Sequence, residues 1–299
     1  MTEFNEIDMK DKEIFDHIFQ KNDPTISEYT FTNFFMWKRY YNYRYALMDG
    51  YLCVYAKPMR EAPFMLMPVG SDDQKDFEKV IKAMCGYFKK NDWEIVFKKV
   101  PERDLCKLIS AAGKDSKVEY DRDNSDYVYL TSDLIGLKGK SYHGKRNHIS
   151  RFNKDYSYEY EEINRENINE CAKIMDRWCA ERDCNCIRGE YCEKYANLAV
   201  LENYFELGCK GALIKVDDFY RAFTIGEMLN KDTAVIHIEK ADSKINGLYS
   251  LINREFCARQ WSETVYINRE QDLGQEGLRK AKESYHPDHM SNKFVLHSR

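Results

Sequence analysis

The sequence has little of what marks membrane, secreted or disordered proteins. Its 299 residues include only 6 prolines and 14 glycines, and such low contents are typical of compact globular chains. No apolar run approaches the roughly 20 residues that a membrane-spanning helix needs. The acidic N-terminal stretch, residues 1–15, lacks the basic start and apolar core of an export signal. We therefore expect a cytoplasmic protein.

A strong net charge and a metal-binding motif are also absent. The formal net charge is −4, so attraction to nucleic acid or anionic lipid must come from a local patch. The ten cysteines form no C-x-x-C pair. Five of them cluster at Cys171, Cys179, Cys184, Cys186 and Cys192. Because Cys-x-Cys is not a common zinc spacing, we expect buried thiols and no bound metal.

The order of predicted elements occurs twice along the chain. Each half begins with two helices and a group of strands, and then alternates helix, strand, helix and strand. One hairpin turn is predicted at Asp49-Gly50, strand 127–130 ends the first half, and a strand near 293–296 ends the second. We predict an α+β fold of two tandem domains, 1–135 and 156–299, each with a mixed, mostly antiparallel sheet flanked by helices.

The predicted connector, residues 136–155, is strongly basic. It contains no Asp or Glu before Asp155 and six basic residues: Lys138, Lys140, Lys145, Arg146, Arg151 and Lys154. Helical spacing places Lys145, His148 and Arg151 near one face. These residues, with Arg146, suit the phosphates of a nucleic acid such as tRNA. A solvated connector is the alternative interpretation, and the pattern alone leaves both open.

A second polar segment, Asn268-Arg269-Glu270-Gln271-Asp272, lies between a predicted strand, 264–267, and a helix ending near Tyr285. Loops at strand ends are where many folds place their chemistry. Asp272 and Gln275 also have the spacing of a capping box, which gives the loop a purely structural interpretation.

The segments NREQDLGQEGLRKAKESYHP and KGKSYHGKRNHISRF carry a family resemblance over nearly the whole chain. They resemble a bacterial family similar to the C-terminal domain of phosphatidylglycerol lysyltransferases, which use aminoacyl-tRNA to modify lipid. The resemblance implies two tandem acyltransferase (GNAT) domains, related to the Fem-type peptidyltransferases. It also implies transfer of an aminoacyl or acyl group to an amine or hydroxyl.

Such a transfer needs a base and a positive group for the oxyanion of the tetrahedral intermediate. We expect Asp272 or Glu270 as the base and Arg269 or Lys293 as the positive group, with Lys293 lying beside the loop. Further substrate-binding residues are expected in the loop and on the preceding strand and helix, at Asn268, Glu239 and Asn253.

A coenzyme A enzyme of this fold cradles pyrophosphate on backbone N–H groups at the junction 239–249. Only Gly247 remains of the expected glycines, and Lys244 precedes it, so the cradle is poor. In this alternative Tyr285 protonates the leaving thiolate, although a core position is the simpler interpretation.

We therefore predict an aminoacyltransferase with aminoacyl-tRNA as donor and no tightly bound cofactor. The acceptor, a lipid head group, a peptide or a small molecule, stays open, as does peripheral contact with lipid. The alternatives are a coenzyme A-dependent N-acyltransferase and a non-catalytic binding module on the same fold.

Overall fold

The computed structural model describes residues 3–71, 73–113, 115–181 and 193–298. The helices are α1 (Lys12–Asn22), α2 (Phe31–Tyr41), α3 (Gln74–Lys90), α4 (Leu105–Ala112), α5 (Thr131–Gly136), α6 (His143–Asp155), α7 (Ile168–Glu181), α8 (Glu193–Glu202), α9 (Tyr204–Leu207), α10 (Leu248–Gln260) and α11 (Glu276–Glu283). The strands are β1 (Asn5–Glu6), β2 (Arg44–Met48), β3 (Tyr51–Ala56), β4 (Phe64–Met65), β5 (Val69–Gly70), β6 (Ile95–Pro101), β7 (Lys117–Tyr120), β8 (Asp126–Leu130), β9 (Tyr158–Glu162), β10 (Lys210–Val216), β11 (Phe219–Met228), β12 (Thr233–Ala241), β13 (Tyr266–Asn268), β14 (His289–Ser291) and β15 (Lys293–Ser298).

The chain divides into two compact units that are discontinuous in sequence. The first unit comprises Met1–Asp126, Gln271–Gly274 and Met290–Arg299, and the second comprises Tyr127–Glu270 and Gln275–His289. This division differs from the predicted contiguous domains. The β8 residues 127–130 were expected to end the first half and instead belong to the second unit. The last strand was expected in the second half and belongs to the first unit.

The first unit is built on a sheet in the order β1-β2-β3-β4-β6-β15-β7, with β5 also beside β3. The predicted β2–β3 hairpin is confirmed, with Met48 opposite Tyr51. Its turn residues Asp49 and Gly50 have φ of 46° and 79°, the positive values that favour an Asp-Gly turn. Strand β15 pairs antiparallel with both β6 and β7, so it is the strand next to the edge strand β7 of this sheet.

Aromatic packing holds α1 and α2 against this sheet. The Phe15 ring of α1 lies 5.6 Å from the rings of Phe31 and Phe34 on α2, and 5.2 Å from the ring of Tyr45 on β2. All three contacts are edge-on, the arrangement that aromatic quadrupoles favour. Helix α2 begins where the Thr30 side chain accepts a hydrogen bond from the backbone of Asn33.

The second unit is built on a sheet in the order β8-β13-β12-β11-β10-β9. Its neighbouring strands are antiparallel except for β12 and β13, which run parallel. With helices flanking a mostly antiparallel sheet in each unit, the predicted α+β class is confirmed.

Residues 136–155 do not form a connector between domains, because they belong to the second unit. Most of the segment is helix α6, which buries Ile149 and Phe152 to 2% and 0% exposure. These side chains are three residues apart and lie on the same helical face. The helical spacing predicted for Lys145, His148 and Arg151 is correct, since all three lie in α6. The apolar face of this helix packs into the folded second unit.

Candidate active site

Strands β12 and β13 pair in parallel over a short distance, and a cluster of polar side chains lies just beyond the end of this pairing. It spans only three register pairs, ending at Val235–Asn268. Beyond that point β12 continues to Ala241, whereas β13 gives way to a loop starting at Arg269. Side chains, not backbone hydrogen bonds, connect the strand to the loop there. The predicted sites on β12 and in the loop therefore face one another within the second unit.

Glu239 is the centre of this cluster. Its Oε1 accepts a 2.8 Å hydrogen bond from Arg269 Nη2, and its Oε2 accepts one of 3.0 Å from Asn253 Nδ2 on α10. The side chains of Glu239 and Arg269 are 12% and 13% exposed, and Asn253 is 2% exposed. Because a carboxylate can only accept, it fixes the orientation of the Asn253 amide. The structure thus brings together three residues that the sequence analysis proposed separately.

Two polar atoms beside Glu239 are buried without a partner. Arg269 Nη1 and Asn253 Oδ1 make no hydrogen bond with any described part of the chain. A buried donor or acceptor without a partner is costly, and in native proteins such atoms usually have a functional explanation. Here one donor and one acceptor flank the same carboxylate, which is the arrangement of a small polar binding site.

Two cations lie over the aromatic ring of Tyr285. Lys145 Nζ of α6 is 3.8 Å from the ring centroid, and Arg269 Cζ is 4.7 Å from it. Burial lowers the pKa of Lys145, and the Arg269 charge lowers it further, to about 8 despite the opposing Glu239 carboxylate. Burial also opposes the charge on Arg269, but Glu239 together with Tyr129, Tyr285 and Cys257 outweighs it and raises the pKa of the guanidinium. Arg269 is therefore a fixed cation, whereas the lowered pKa of Lys145 allows it to lose its proton above about pH 8.

Tyr285 is part of the wall of the site. Its hydroxyl donates to Ser250 Oγ at 3.3 Å, and its carbonyl accepts from the Tyr142 hydroxyl at 2.7 Å. Burial raises the pKa of Tyr285, although Arg269 opposes the shift. These contacts fit the core interpretation, and a role in protonating a thiolate stays a prediction.

A second network next to this cluster was not predicted. His237 on β12 is fully buried, and its Nε2 and Nδ1 lie 2.9 Å and 2.8 Å from carboxylate oxygens of Glu227 and Glu270. It lies where the β11–β12 register shifts, between the pairs Ile225–Ile238 and Gly226–Ile236. Burial lowers the pKa of His237, but the two glutamates outweigh it and raise the pKa to about 10. The only sequence signal was a histidine within an otherwise apolar strand.

The loop after β13 is held in a strained conformation. Glu270 has a φ of 56°, which side chains rarely adopt. Its backbone N–H donates to Asn268 Oδ1 at 2.8 Å, and its carbonyl accepts from Lys282 Nζ at 3.0 Å. Lys282 Nζ also donates to the carbonyl of Arg269. Asn268, predicted to bind substrate, is fully buried, and this contact positions the loop.

Asp272 and Lys293 belong to the first unit and form ion pairs there. Fully buried Asp272 contacts Arg122 Nη1 at 3.2 Å and accepts from the backbone of Gly274 at 2.8 Å. The predicted capping box is not formed, because Gln275 itself occupies the N-cap position and no side chain caps α11. Asp272 instead stabilises the turn at 272–274, where its carboxylate accepts from the backbone N–H two residues further on. Its catalytic role stays a prediction.

Lys293 lies on β15, with Nζ 2.7 Å from an Asp126 carboxylate oxygen and 2.6 Å from one of Glu28. It is 0% exposed. The expected position beside the 268–272 loop rested on a last strand in the second sheet, whereas β15 is a strand of the first. The catalytic role of Lys293 likewise stays a prediction, and its contacts are those of a buried structural ion pair.

The basic residues of α6 divide between two roles. Arg146 Nη1 donates to the carbonyls of Leu137 and Gly139, the latter at 2.7 Å, and so holds the preceding loop. His148 and Arg151 are exposed, and Arg151 is 3.7 Å from Asp155 across one helical turn. The exposed side of the helix is available to a polyanion, whereas Lys145 reaches the cluster around Glu239.

The predicted coenzyme A junction is filled by protein. A Cβ on Gly247, whose φ is +91°, meets the His148 carbonyl oxygen at 2.5 Å. Lys244 Nζ is 2.7 Å from a Glu181 carboxylate oxygen, and the Lys244 backbone donates to Asp242 Oδ1 at 3.0 Å. A backbone cradle for pyrophosphate needs such donors facing the ligand, and here they serve the loop and its neighbouring helix.

The cysteines show no sign of a metal site within the described ranges. No group of three or more His, Cys, Asp or Glu side chains there has the arrangement of a metal site. Cys171 and Cys179 are buried, while Cys184, Cys186 and Cys192 lie outside the described residues.

A comparison with protein families decides the relationship of this chain. The family model described as phosphatidylglycerol lysyltransferase, C-terminal, matches residues 19–297. The chain belongs to this family. The resemblance seen in the two sequence segments is thereby confirmed, and an aminoacyltransferase is supported at the level of the family.

Solved structures agree with the family assignment. A conserved protein of unknown function from Bacteroides thetaiotaomicron is 33% identical, with a TM-score of 0.93 and 100% of both chains covered. L-PGS from Bacillus licheniformis has a TM-score of 0.67 at 16% identity, covering 98% of this chain and 93% of its own. FemX has a TM-score of 0.64 at 9% identity, covering 99% and 97%. The fold is thus of the tandem GNAT type.

An uncharacterized protein of Mycoplasmoides gallisepticum is 25% identical over 175 residues, which span 58% of this chain and 56% of that relative. The match therefore covers little more than half of either protein. In the described ranges of our chain, no helix is both long and apolar enough to cross a membrane.

Proposed function

We propose that this protein transfers an aminoacyl group from aminoacyl-tRNA to an amine or hydroxyl acceptor at the cluster around Glu239. The observation that carries the proposal is the pair of unpartnered atoms, Arg269 Nη1 and Asn253 Oδ1, on either side of the Glu239 carboxylate. One is a hydrogen-bond donor and the other an acceptor. A ligand that satisfies both must present an acceptor and a donor a few atoms apart.

An aminoacyl ester has this combination. Its carbonyl oxygen accepts from Arg269 Nη1, and its α-ammonium donates to Asn253 Oδ1 and is attracted by Glu239. A simple acyl thioester supplies the carbonyl but no ammonium, and leaves Asn253 Oδ1 without a partner. The chemistry of the cluster therefore favours an aminoacyl donor over acetyl-coenzyme A.

In the reaction, the acceptor attacks the ester carbonyl carbon and the ribose oxygen leaves. Negative charge develops on the carbonyl oxygen, where the fixed cation Arg269 stabilises it. A cysteine nucleophile is not needed, because the ester is attacked directly. Burial raises the pKa of the Cys257 thiol to about 12, although nearby Arg269 opposes the shift, so this thiol stays protonated and unreactive.

Two surfaces of the second unit support tRNA as the donor. The exposed side of α6 carries His148, Arg151 and Lys154, and such residues bind phosphates of a polynucleotide. The same helix carries Lys145 into the cluster. By contrast, the junction at Gly247 is occupied by the His148 carbonyl, which disfavours the coenzyme A alternative.

The test compares three tRNA ligands by affinity at fixed salt: aminoacyl-tRNA, N-acetyl-aminoacyl-tRNA and deacylated tRNA. We expect the wild-type protein to prefer the first by about 10-fold or more, since a hydrogen bond to a charged group contributes roughly 1.5–3 kcal/mol. Glu239→Gln should remove most of the preference for the free ammonium, whereas Glu206→Gln, an exposed change on α9, should retain it.

Equal affinity for all three ligands contradicts aminoacyl transfer at this cluster. A thermal-shift titration with acetyl-coenzyme A runs in parallel. A ligand at 100 times its Kd should stabilise the protein by about 2.7 kcal/mol, so a shift with acetyl-coenzyme A alone establishes the N-acyltransferase alternative. No shift with acetyl-coenzyme A and no preference among the tRNAs indicates the non-catalytic module.

A further inference from the structure

Half-buried Lys145 differs from the buried lysines of the described chain in what surrounds its ammonium group. Those lysines have partners that stabilise a positive charge: Lys99 has Glu28 at 3.3 Å, Lys240 has Glu193 at 2.7 Å, Lys282 has the Glu270 carbonyl at 3.0 Å, and Lys293 has Asp126 at 2.7 Å. Lys145 Nζ instead lies 3.8 Å from the ring centroid of Tyr285. No hydrogen bond or ion pair joins it to any described residue.

The groups that face Lys145 come from several elements. The loop after β13 contributes the Arg269 guanidinium, β12 contributes Glu239, and the segment after α11 contributes the Tyr285 ring. Burial has the largest effect on the Lys145 pKa and favours the neutral amine, and the Arg269 charge adds to it more than the Glu239 carboxylate opposes it. A neutral amine beside an oxyanion-stabilising arginine has the chemistry of a general base.

We propose that Lys145 accepts the proton lost by the attacking acceptor and delivers it to the departing ribose oxygen. This inference rests on the proposed aminoacyl transfer and adds a catalytic residue to it. As the acceptor nitrogen or oxygen bonds to the ester carbonyl carbon, its proton moves to Lys145 Nζ. The carbon–oxygen bond to the ribose then breaks, and the proton moves from Nζ to that oxygen. No proton is gained or lost overall, and no redox partner is required.

This role differs from the phosphate contact predicted for Lys145 from the sequence. A phosphate contact needs a permanently charged, exposed side chain, as on Arg151. Lys145 is half-buried, and its pKa of about 8 leaves about a tenth of the side chains neutral at pH 7, far more than for an ordinary lysine. Arginine at position 145 would retain a phosphate contact, because it keeps the positive charge. It would abolish general-base catalysis, because a guanidinium cannot act as a base.

The experiment follows the loss of the aminoacyl group from charged tRNA in single turnovers, with hydroxylamine as the nucleophile, from pH 6.5 to 9.5. We expect the wild-type rate to rise with a midpoint near pH 8. Lys145→Arg should bind charged tRNA within about twofold of wild type but react about 100- to 10 000-fold more slowly, without that pH-dependent rise. Lys231→Arg, an exposed change on the β11–β12 turn, serves as control.

A second measurement needs no substrate. Labelling with acetic anhydride at a series of pH values, read by mass spectrometry, should give Lys145 a midpoint near 8 instead of the roughly 10.4 of ordinary lysines. If the wild-type protein accelerates transfer and Lys145→Arg does so equally, the base is elsewhere and only this proposal fails. A labelling midpoint above 10 also overturns it. If the wild-type protein neither accelerates transfer nor prefers charged tRNA, the proposed function fails with it.

Discussion

Each unit contains a buried charge cluster, and the two clusters differ in how completely their charges are paired. In the first unit, Glu28, Lys99, Asp126 and Lys293 are at most 6% exposed, and each lies within 3.3 Å of an opposite charge. In the second unit, Glu239 pairs with Arg269, but Arg269 Nη1 and Asn253 Oδ1 lack partners in the described chain. Lys145 has no carboxylate within ion-pair distance among the described residues.

Under the proposed function, this difference separates charges that stabilise the fold from charges that bind a ligand. A closed set of two anions and two cations balances its own charge, and removing one member leaves another buried and uncompensated. An open set instead contains a buried donor and a buried acceptor without protein partners in the described chain, beside an amine that has no ion pair there. Burial alone does not distinguish the two clusters, whereas pairing does. The following predictions test this distinction, from the largest expected effect to the smallest.

Breaking the closed cluster should have the largest effect. Lys293→Met leaves Asp126 and Glu28 short of a positive charge in a fully buried site, and we expect the free energy of unfolding to fall by about 3–5 kcal/mol. Urea unfolding measures this change. The matched control, Lys82→Met on the exposed side of α3, should change it by less than about 0.5 kcal/mol. A loss below about 1 kcal/mol for Lys293→Met contradicts a structural role.

The His237 network, which is paired on both sides, should behave like the closed cluster. Its folded pKa of about 10 lies above the ordinary value of about 6.5. Its contribution to stability is therefore complete below about pH 6.5 and is lost as the pH rises towards 10. Relative to His237→Gln, the wild-type free energy of unfolding should fall between these limits by at most about 1.4 kcal/mol per pH unit. Parallel pH profiles for the two proteins contradict this interpretation.

Exposed charges on α6 should affect binding and not stability. Replacing Arg151 and Lys154 by alanine should lower the salt dependence of tRNA binding by a slope of about 1 to 2, because up to two phosphate contacts are lost. The melting temperature should change little, since both side chains are exposed. An unchanged slope assigns the phosphates to another surface.

The candidate-site residues whose positions follow from predicted strands and helices could be identified from the sequence. Arg269 was found from its place after a strand, and Glu239 and Asn253 from their places on the preceding strand and helix. Their convergence follows from the parallel pairing of β12 with β13. Similarly, Asp49-Gly50 predicted its hairpin because the turn depends only on local backbone preferences.

Contacts between residues distant in the chain were not predictable in this way. His237 binds glutamates 10 and 33 residues away, and neither spacing follows a helix or strand period. Lys293 and Asp272 resembled catalytic residues because they are charged residues in or near a polar loop. Their buried partners Asp126 and Arg122 are 167 and 150 residues away in sequence, and only the fold reveals them.

The position of β15 has a consequence for how the protein is made. In the described part of the chain, β15 is the strand that joins β6 to β7 in the sheet, and its first residue, Lys293, follows the last residue of β7, Tyr120, by 173 positions. At roughly 5–20 residues per second, a ribosome needs about 10–35 s to synthesise that interval. During this time both strands have an unpaired edge that other chains can bind. The nascent first unit is thus exposed to mispairing until β15 has been synthesised, and chaperones that cover strand edges should associate with it in that interval.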